Sequence, residues 1–379
     1  MNTIRTILIR QLIFTFGICM MNISIHAQIP LFNSYPQAHA TVYLDFDGQY
    51  VEGTIWNQNG PIDAQPAGLS IAAMTEIFNR IAADYRPFNI NITTDVNVYN
   101  NAPVLQRTRI IITPSSYWYR NSAGASCIGS FTWGDDTPAW VFNNLLGDNP
   151  KYIAACASHE IGHTLGLQHQ SIYDANCHKL TEYNAGTGSV ETGWAPIMGI
   201  GYYKNCITWC IGSCAAGCDS IQSDLKIIAG SPNNFGFRPD DYGDDYTKAS
   251  PINIYSNLFS IKGVINHNHD RDAFRLDLDS RKEVLLNVMM DNIAAGKKES
   301  DIIKISLLNR NADTIRQFDG LKLLYEGIDI ILDPGTYYLV VEDAINKPGI
   351  HGFYSLSGTL VPDGALRQFA LRRPGTNNP

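Results

Sequence analysis

The sequence predicts an α+β domain followed by an all-β sandwich, and three observations lead to this fold class. The chain has 379 residues, more than one hydrophobic core usually serves, because cores stop growing near roughly 250 to 300 residues. Helix-type and strand-type hydrophobic patterns are mixed up to about residue 230. A segment rich in Pro, Gly, Asn and Asp follows at residues 231–251, and strand patterns come after it.

The α+β part begins with one strand and one helix. Val42, Leu44 and Phe46 alternate with other residues, which predicts a strand. Ser70 is a good N-cap for a helix whose apolar residues recur every three or four positions and which ends before Pro87. Further strands are predicted at residues 88–92, 109–113, 127–133 and 139–143.

The next helix carries a specific set of polar residues. Asn149 is a good N-cap, and Pro150 suits the first helical position. Residues four apart share one face of a helix, and a glycine allows the chain to turn beyond its end. The pattern HExxHxxGxxH therefore predicts a metal site whose ligands are His159, His163 and, after Gly166, His169.

The spacing also predicts the chemistry of this site. Three neutral imidazoles leave the fourth position of a tetrahedral zinc ion open, as in catalytic rather than structural zinc sites. Glu160 lies about 100° round the helix from His159, beside the metal and outside the ligand set. We expect Glu160 to accept a proton from the water that zinc activates and to pass it to the leaving amine.

The extended motif resembles the metzincin clan of zinc endopeptidases. The second mark of that clan is a methionine turn beneath the metal, which residues 195–199 match, with Met198 as a hydrophobic floor and not a ligand. The likeness covers about residues 40–230. It implies a twisted mixed sheet, a zinc-binding active-site helix and a protein or peptide substrate.

The resemblance implies two further roles. In metzincins, a strand before the zinc helix lines the cleft and pairs with extended substrate. That role would go to the segment Ile128, Gly129, Ser130 and Phe131, with an ordinary internal strand as the alternative. Tyr202 could donate to the developing oxyanion, or it could simply pack. It follows Met198 by four residues, whereas some metzincins carry a tyrosine two residues after the methionine.

The strand-rich part resembles the bacterial pre-peptidase C-terminal domain, a β-sandwich attached to secreted proteases. Residues 270–274 and 332–341 carry this likeness. The predicted organisation is a signal peptide at 1–27, a protease domain at 28–235, a linker at 236–250, the β-sandwich at 251–363 and a tail at 364–379.

The first 27 residues predict export, because Arg5 and Arg10 precede a largely apolar stretch that ends at Ala27. A membrane anchor is the alternative, but the stretch is shorter than the roughly 20 residues a spanning helix needs. We therefore expect a secreted protein, extracellular or periplasmic, with no stable membrane span. The formal net charge of −8 argues against a nucleic-acid partner. The oligomeric state stays open.

Cysteines and acidic residues have weaker implications. Export permits disulfides, and a bridge between Cys127 and Cys177 is one possible pairing. A four-residue recurrence, which on a helix would align the thiols, could suggest a metal or cluster site at Cys206, Cys210, Cys214 and Cys218. The predicted export favours disulfides there instead.

Calcium is a further expectation, because carboxylates cluster in the linker. The residues concerned are Asp240, Asp241, Asp244 and Asp245, and a solvated acidic linker is the alternative. A metal site could also form from His267, His269, Asp270 and Asp272, where a polar turn is the alternative.

Together the patterns predict a secreted zinc-dependent endopeptidase. One alternative is an inactive metzincin relative that acts as a surface-binding module, although the intact motif argues against it. The other is a zinc hydrolase of non-peptide bonds.

Overall fold

The structure is a computed structural model. It describes residues 29–119, 122–188, 193–265, 270–290, 303–319, 328–343 and 352–362. The predicted signal peptide at 1–27, the tail at 364–379, His267 and His269 lie outside these residues. Within them, an α+β part is followed by a β-rich part. No helix in the described residues is long and apolar enough to cross a membrane.

The α+β part contains both helices and short strands. The helices are α1 (Ile71–Asp84), α2 (Val96–Asn101), α3 (Pro150–Thr164) and α4 (Asp224–Ala229). The strands are β1 (Ala40–Asp45), β2 (Gln49–Val51), β3 (Ile62–Ala64), β4 (Ile90–Thr93), β5 (Arg107–Thr113), β6 (Gly124–Ala125), β7 (Ala139–Phe142), β8 (Ile172–Tyr173), β9 (Lys179–Thr181), β10 (Trp194–Pro196), β11 (Cys206–Thr208), β12 (Ile211–Cys214) and β13 (Gly217–Ser223).

The central sheet has the strand order β4-β1-β5-β7-β6. β1 pairs in parallel with β4 and β5, and β5 pairs in parallel with β7. β6 is antiparallel to β7 and forms the edge. The sheet is therefore mixed, as predicted, and its antiparallel edge strand has one side without a strand neighbour in the described residues.

The predicted strand at residues 127–133 is wrong. Ser130–Thr132 form a short 3-10 helix, preceded by Gly129 in a left-handed conformation with φ of 79°. The Gly129 N–H donates to the His163 carbonyl at 2.9 Å, and Phe131 is fully buried in the core. These contacts turn the chain away from the sheet, so the edge strand is β6, a few residues earlier.

The two long helices are fastened together behind the site. The Tyr85 hydroxyl donates to the Ser158 carbonyl at 2.8 Å, and the Ser158 hydroxyl donates to Asp84 Oδ2 at 2.6 Å. The Trp209 indole N–H donates to the Asp84 carbonyl at 2.6 Å. Ser158 immediately precedes His159, so these bonds fix the position of α3 and of the polar residues on it.

The β-rich part consists of two sheets with one shared core. Its strands are β14 (Ser250–Pro251), β15 (Leu258–Ile265), β16 (Arg271–Leu278), β17 (Lys282–Met290), β18 (Ile303–Leu308), β19 (Thr314–Asp319), β20 (Ile328–Leu332), β21 (Gly335–Asp343) and β22 (Gly352–Pro362). The sheet orders are β14-β16-β21-β18-β19 and β15-β22-β17-β20. Buried residues of both sheets form one hydrophobic cluster, which is the arrangement of a β-sandwich.

The predicted linker is bonded to both parts of the chain. Arg238 Nε donates to the Phe88 carbonyl at 3.1 Å, on the α+β side. Asp241 Oδ2 accepts from the Val264 N–H at 3.2 Å, on the β-rich side. The chain therefore changes from one part to the other between Arg238 and Asp241.

Candidate metal centre

The structure brings the three predicted histidines together. His159 and His163 lie on α3, and His169 returns to them after Gly166, whose φ is 100°. One ring nitrogen from each of the three lies within 4.8 Å of the others. The left-handed glycine predicted from the motif is confirmed, and it allows the chain to approach the ion position from a second direction.

The outer ring nitrogens show that this cluster is suited to a metal ion. Each Nδ1 meets an oxygen acceptor: His159 meets the Ile197 carbonyl at 2.9 Å, His163 the Leu167 carbonyl at 2.7 Å, and His169 Glu182 Oε1 at 2.6 Å. Carbonyl and carboxylate oxygens only accept, so each Nδ1 carries the proton and each Nε2 keeps its lone pair. Metal-bound histidines are oriented in this way.

Burial also favours the neutral imidazoles that a metal requires. It lowers the pKa of His163 to about 4 and holds the pKa of His159 well below its usual range. Three neutral nitrogen donors are a ligand set that zinc accepts. The residues present therefore fit a zinc ion.

Met198 packs against α3 at Gly162, the residue before His163. It is fully buried, and its carbonyl accepts from the Gln170 N–H at 2.8 Å. A Cβ at Gly162 would lie 2.5 Å from Met198 Sδ. The helix therefore needs a glycine at this point for the thioether to pack against it.

Glu160 faces the same space as the histidines and is buried. Its Oε2 accepts from the Ser126 hydroxyl at 2.5 Å. Burial raises the pKa of Glu160 to about 7, and the hydrogen bond from Ser126 opposes that rise. A Cβ at Gly124 would lie 2.5 Å from Glu160 Oε1, so strand β6 passes directly against this carboxyl group. Neither Ser126 nor Gly124 was predicted to belong to the site.

A cavity of about 340 Å³ opens in front of these groups. Its lining combines the proposed ligands, Glu160, edge strand β6, residues that follow Met198, and the three tyrosines Tyr119, Tyr183 and Tyr202. The size is in the range of ligand-binding clefts.

Two tyrosines have different surroundings in this cavity. The Tyr202 ring packs against Tyr152 with centroids 5.6 Å apart. The Tyr183 ring lies 4.3 Å from the His169 ring and is 39% exposed. Tyr183 was not predicted, although its place directly after Glu182, a partner of His169, puts it beside the site.

The predicted substrate strand is not formed by the residues named for it. Ile128 lines the cavity and is 54% exposed, but Ser130 and Phe131 are buried, and Gly129 belongs to a turn. The short edge strand β6 lies along the cavity in their place.

The cysteine predictions are corrected by one disulfide. Cys177 is bonded to Cys218, not to Cys127. The four recurring cysteines do not share a helix face, because they belong to or border strands β11 to β13. The disulfide joins the segment that carries Glu182 and Tyr183 to the β12–β13 hairpin.

A second group of possible ligands lies in the β-rich part. Carboxylate oxygens of Asp240, Asp270 and Asp272 lie within 4.8 Å of one another. Asp272 is fully buried, and its Oδ2 accepts from the Tyr354 hydroxyl at 2.5 Å. Burial, with the nearby carboxylates, raises the pKa of Asp272 to about 8. Asp245, which was also predicted to bind calcium, accepts from the Thr247 N–H at 2.8 Å. Calcium binding stays a prediction.

Comparisons with known proteins give no family. No protein-family model matches the sequence, and no curated protein matches it. One similar solved structure is a periplasmic inhibitor of g-type lysozyme from Aeromonas hydrophila, 14% identical over 30% of this chain and 96% of that chain, with a TM-score of 0.23. Another is the pre-peptidase C-terminal domain of a collagenase from Bacillus anthracis, 19% identical over 32% of this chain and 98% of that chain, with a TM-score of 0.22. Neither likeness carries an argument at these TM-scores.

Proposed function

We propose that this chain is a secreted zinc-dependent endopeptidase. The observation that carries the proposal is the cluster of His159, His163 and His169, whose inner nitrogens converge while every outer nitrogen meets an acceptor. Zinc bound there would polarise the scissile carbonyl and make the attacking water more acidic.

Glu160 acts as the general base and then as the general acid. Its carboxylate accepts a proton from the water as the oxygen attacks the carbonyl carbon, and it returns that proton to the amide nitrogen as the C–N bond breaks. Ser126 donates to Oε2, so Oε1 is the carboxylate oxygen left to accept the proton from the water. A pKa raised to about 7 by burial suits a group that must both take and give a proton near neutral pH.

Edge strand β6 supports a peptide as the substrate. Its partner β7 uses one edge of Gly124–Ala125, and the other edge lies along the cavity. An extended peptide can add to such an edge through main-chain hydrogen bonds. Gly124 leaves room for the Glu160 carboxyl group at the point where the two would meet.

Tyr183 is the phenol best situated to donate to the developing oxyanion. Its ring lies beside His169 and is partly exposed, whereas the Tyr202 ring packs against Tyr152. A donor at the carbonyl oxygen stabilises the negative charge that forms there.

Digestion of a denatured protein substrate, with metal analysis and mapping of the cleaved bonds, tests this function. We expect about one zinc per chain and internal peptide-bond cleavage that a chelator stops. Zinc without peptide cleavage would favour the hydrolase of non-peptide bonds. Neither zinc nor cleavage would favour the inactive surface-binding module.

A further inference from the structure

His169 lies beyond the end of α3, so its position depends on the segment that follows Gly166. One side of this segment runs along the β12–β13 hairpin. The Ala215 N–H donates to the His169 carbonyl, and the Ser171 N–H donates to the Ser213 carbonyl, each at 2.9 Å. These bonds hold one edge of an extended backbone, and other groups bond to its opposite edge.

The side chain of Gln222 holds the other edge at Gln168. At Gln170, on the same edge, the main chain bonds to Met198 and Asn184 at 2.8 and 2.7 Å. The Gln168 N–H donates to Gln222 Oε1 at 2.9 Å, and Gln222 Nε2 donates to the Gln168 carbonyl at 2.8 Å. Gln222 is buried, and its amide pairs with both main-chain groups of one residue as a neighbouring strand would. Its orientation is unambiguous, because a main-chain N–H only donates and a carbonyl only accepts.

Asp224 joins this pair to the residue on the other side of His169. Asp224 Oδ1 accepts from Gln222 Nε2 at 2.9 Å and from Gln170 Nε2 at 3.0 Å. Its Oδ2 accepts from the Cys210 N–H at 3.0 Å. Asp224 is fully buried, and its two carboxylate oxygens accept from three donors in all. Such fully bonded buried networks are rigid.

We propose that Gln222 and Asp224 are positioning residues that determine where His169 lies and thereby set the metal affinity of the site. Neither residue lines the cavity. Gln222 bonds to the backbone of Gln168, and Asp224 bonds to the side chain of Gln170, on the two sides of the third ligand. Glu182 contacts the ligand ring directly. The inference rests on the proposed function only in taking zinc as the ion.

The test is the zinc affinity of the full chain, measured by competition with a chromophoric chelator. Gln222→Met keeps the length of the side chain and removes both hydrogen bonds to Gln168. We expect it to weaken zinc binding about 10- to 100-fold, the usual effect of changing an outer-shell partner. Asp224→Asn is the second variant should Gln222→Met fail to fold, and the same direction is expected.

A matched control separates positioning from general destabilisation. Asn91 is also a buried amide, which accepts from the Tyr35 N–H and donates to Asn33 at 2.9 Å, on strand β4. Asn91→Leu should lower the melting temperature and leave zinc affinity within twofold.

The outcomes are distinguishable. An unchanged zinc affinity in Gln222→Met, or an equal loss in Asn91→Leu, overturns the positioning role alone. A wild-type protein that binds zinc and cleaves no peptide overturns the proposed function and leaves the positioning role intact. A wild-type protein that binds no zinc overturns both.

Discussion

Glu160→Gln is the most direct test of the proposed chemistry. The amide has nearly the same size as the carboxyl group, and its oxygen can still accept from the Ser126 hydroxyl, which lies 2.5 Å from Glu160 Oε2. Glu160 is outside the histidine cluster, so zinc content should stay at the wild-type value. Peptide turnover should fall by roughly 10²- to 10⁴-fold, because a positioned acid-base group contributes about that much. This corresponds to about 3 to 5 kcal/mol in the activation barrier.

The assay measures turnover of a fluorogenic peptide together with zinc per chain and the melting temperature. Glu283→Gln is the matched control, because Glu283 is also a buried glutamate but lies on β17 in the β-rich part. Its turnover should equal that of the wild type. Glu160→Gln turnover within a few-fold of the wild type would show that another group activates the water. Loss of zinc would show that Glu160 is a ligand, which also contradicts the reasoning.

Four other predictions concern the ligands, the cavity and the two parts of the chain. His163→Ala should lose zinc and proteolysis together, and stoichiometric zinc in the purified variant would refute the ligand assignment. Tyr183→Phe should lower kcat by roughly 10²-fold at unchanged zinc content. Tyr203→Phe, at a residue that is 70% exposed, should leave kcat unchanged. Equal kcat values for the two variants would exclude Tyr183 as the oxyanion donor. A shortened chain of residues 28–240 should fold and cleave peptides, because it keeps the bonds of residues 236–238 to the α+β part. A shortened chain that binds zinc but cleaves no peptide would show that the β-rich part is needed. Because the folded-state pKa of Asp272 is raised to about 8, its contribution to stability is full below about pH 4 and is lost as pH rises through about 8. The melting temperature should fall over this pH range, and calcium should oppose the fall. The same pH profile of melting temperature in Asp272→Asn would contradict this prediction.

Local sequence patterns determined the elements and the metal-binding helix. The N-cap at Asn149, the proline after it and the histidines four residues apart all act within one helix, where neighbours in space are neighbours in sequence. The role of Gly166 is also predictable from the sequence, because a left-handed conformation depends on the type of one residue. The α+β order followed by strands was also predictable, since hydrophobic periodicity is local.

Only the tertiary structure decided what surrounds that helix. The Ser126–Glu160 bond joins residues 34 positions apart, and the Gln222–Gln168 pair joins residues 54 positions apart. The segment after Cys127 has the composition of a strand, but burial of Phe131 and the bond from Gly129 to α3 override that preference.

The same limit applies to the partners of single residues. Cys177 could have paired with any of several cysteines, and the approach of the β12–β13 hairpin selected Cys218. The linker carboxylate of Asp240 lies close to those of Asp270 and Asp272, which are distant in sequence. A sequence pattern records which residue types are present and how they are spaced along the chain. Which distant groups come within hydrogen-bond or ligand distance is decided by how the sheets and helices pack, because packing energy depends on the whole core and not on a local period.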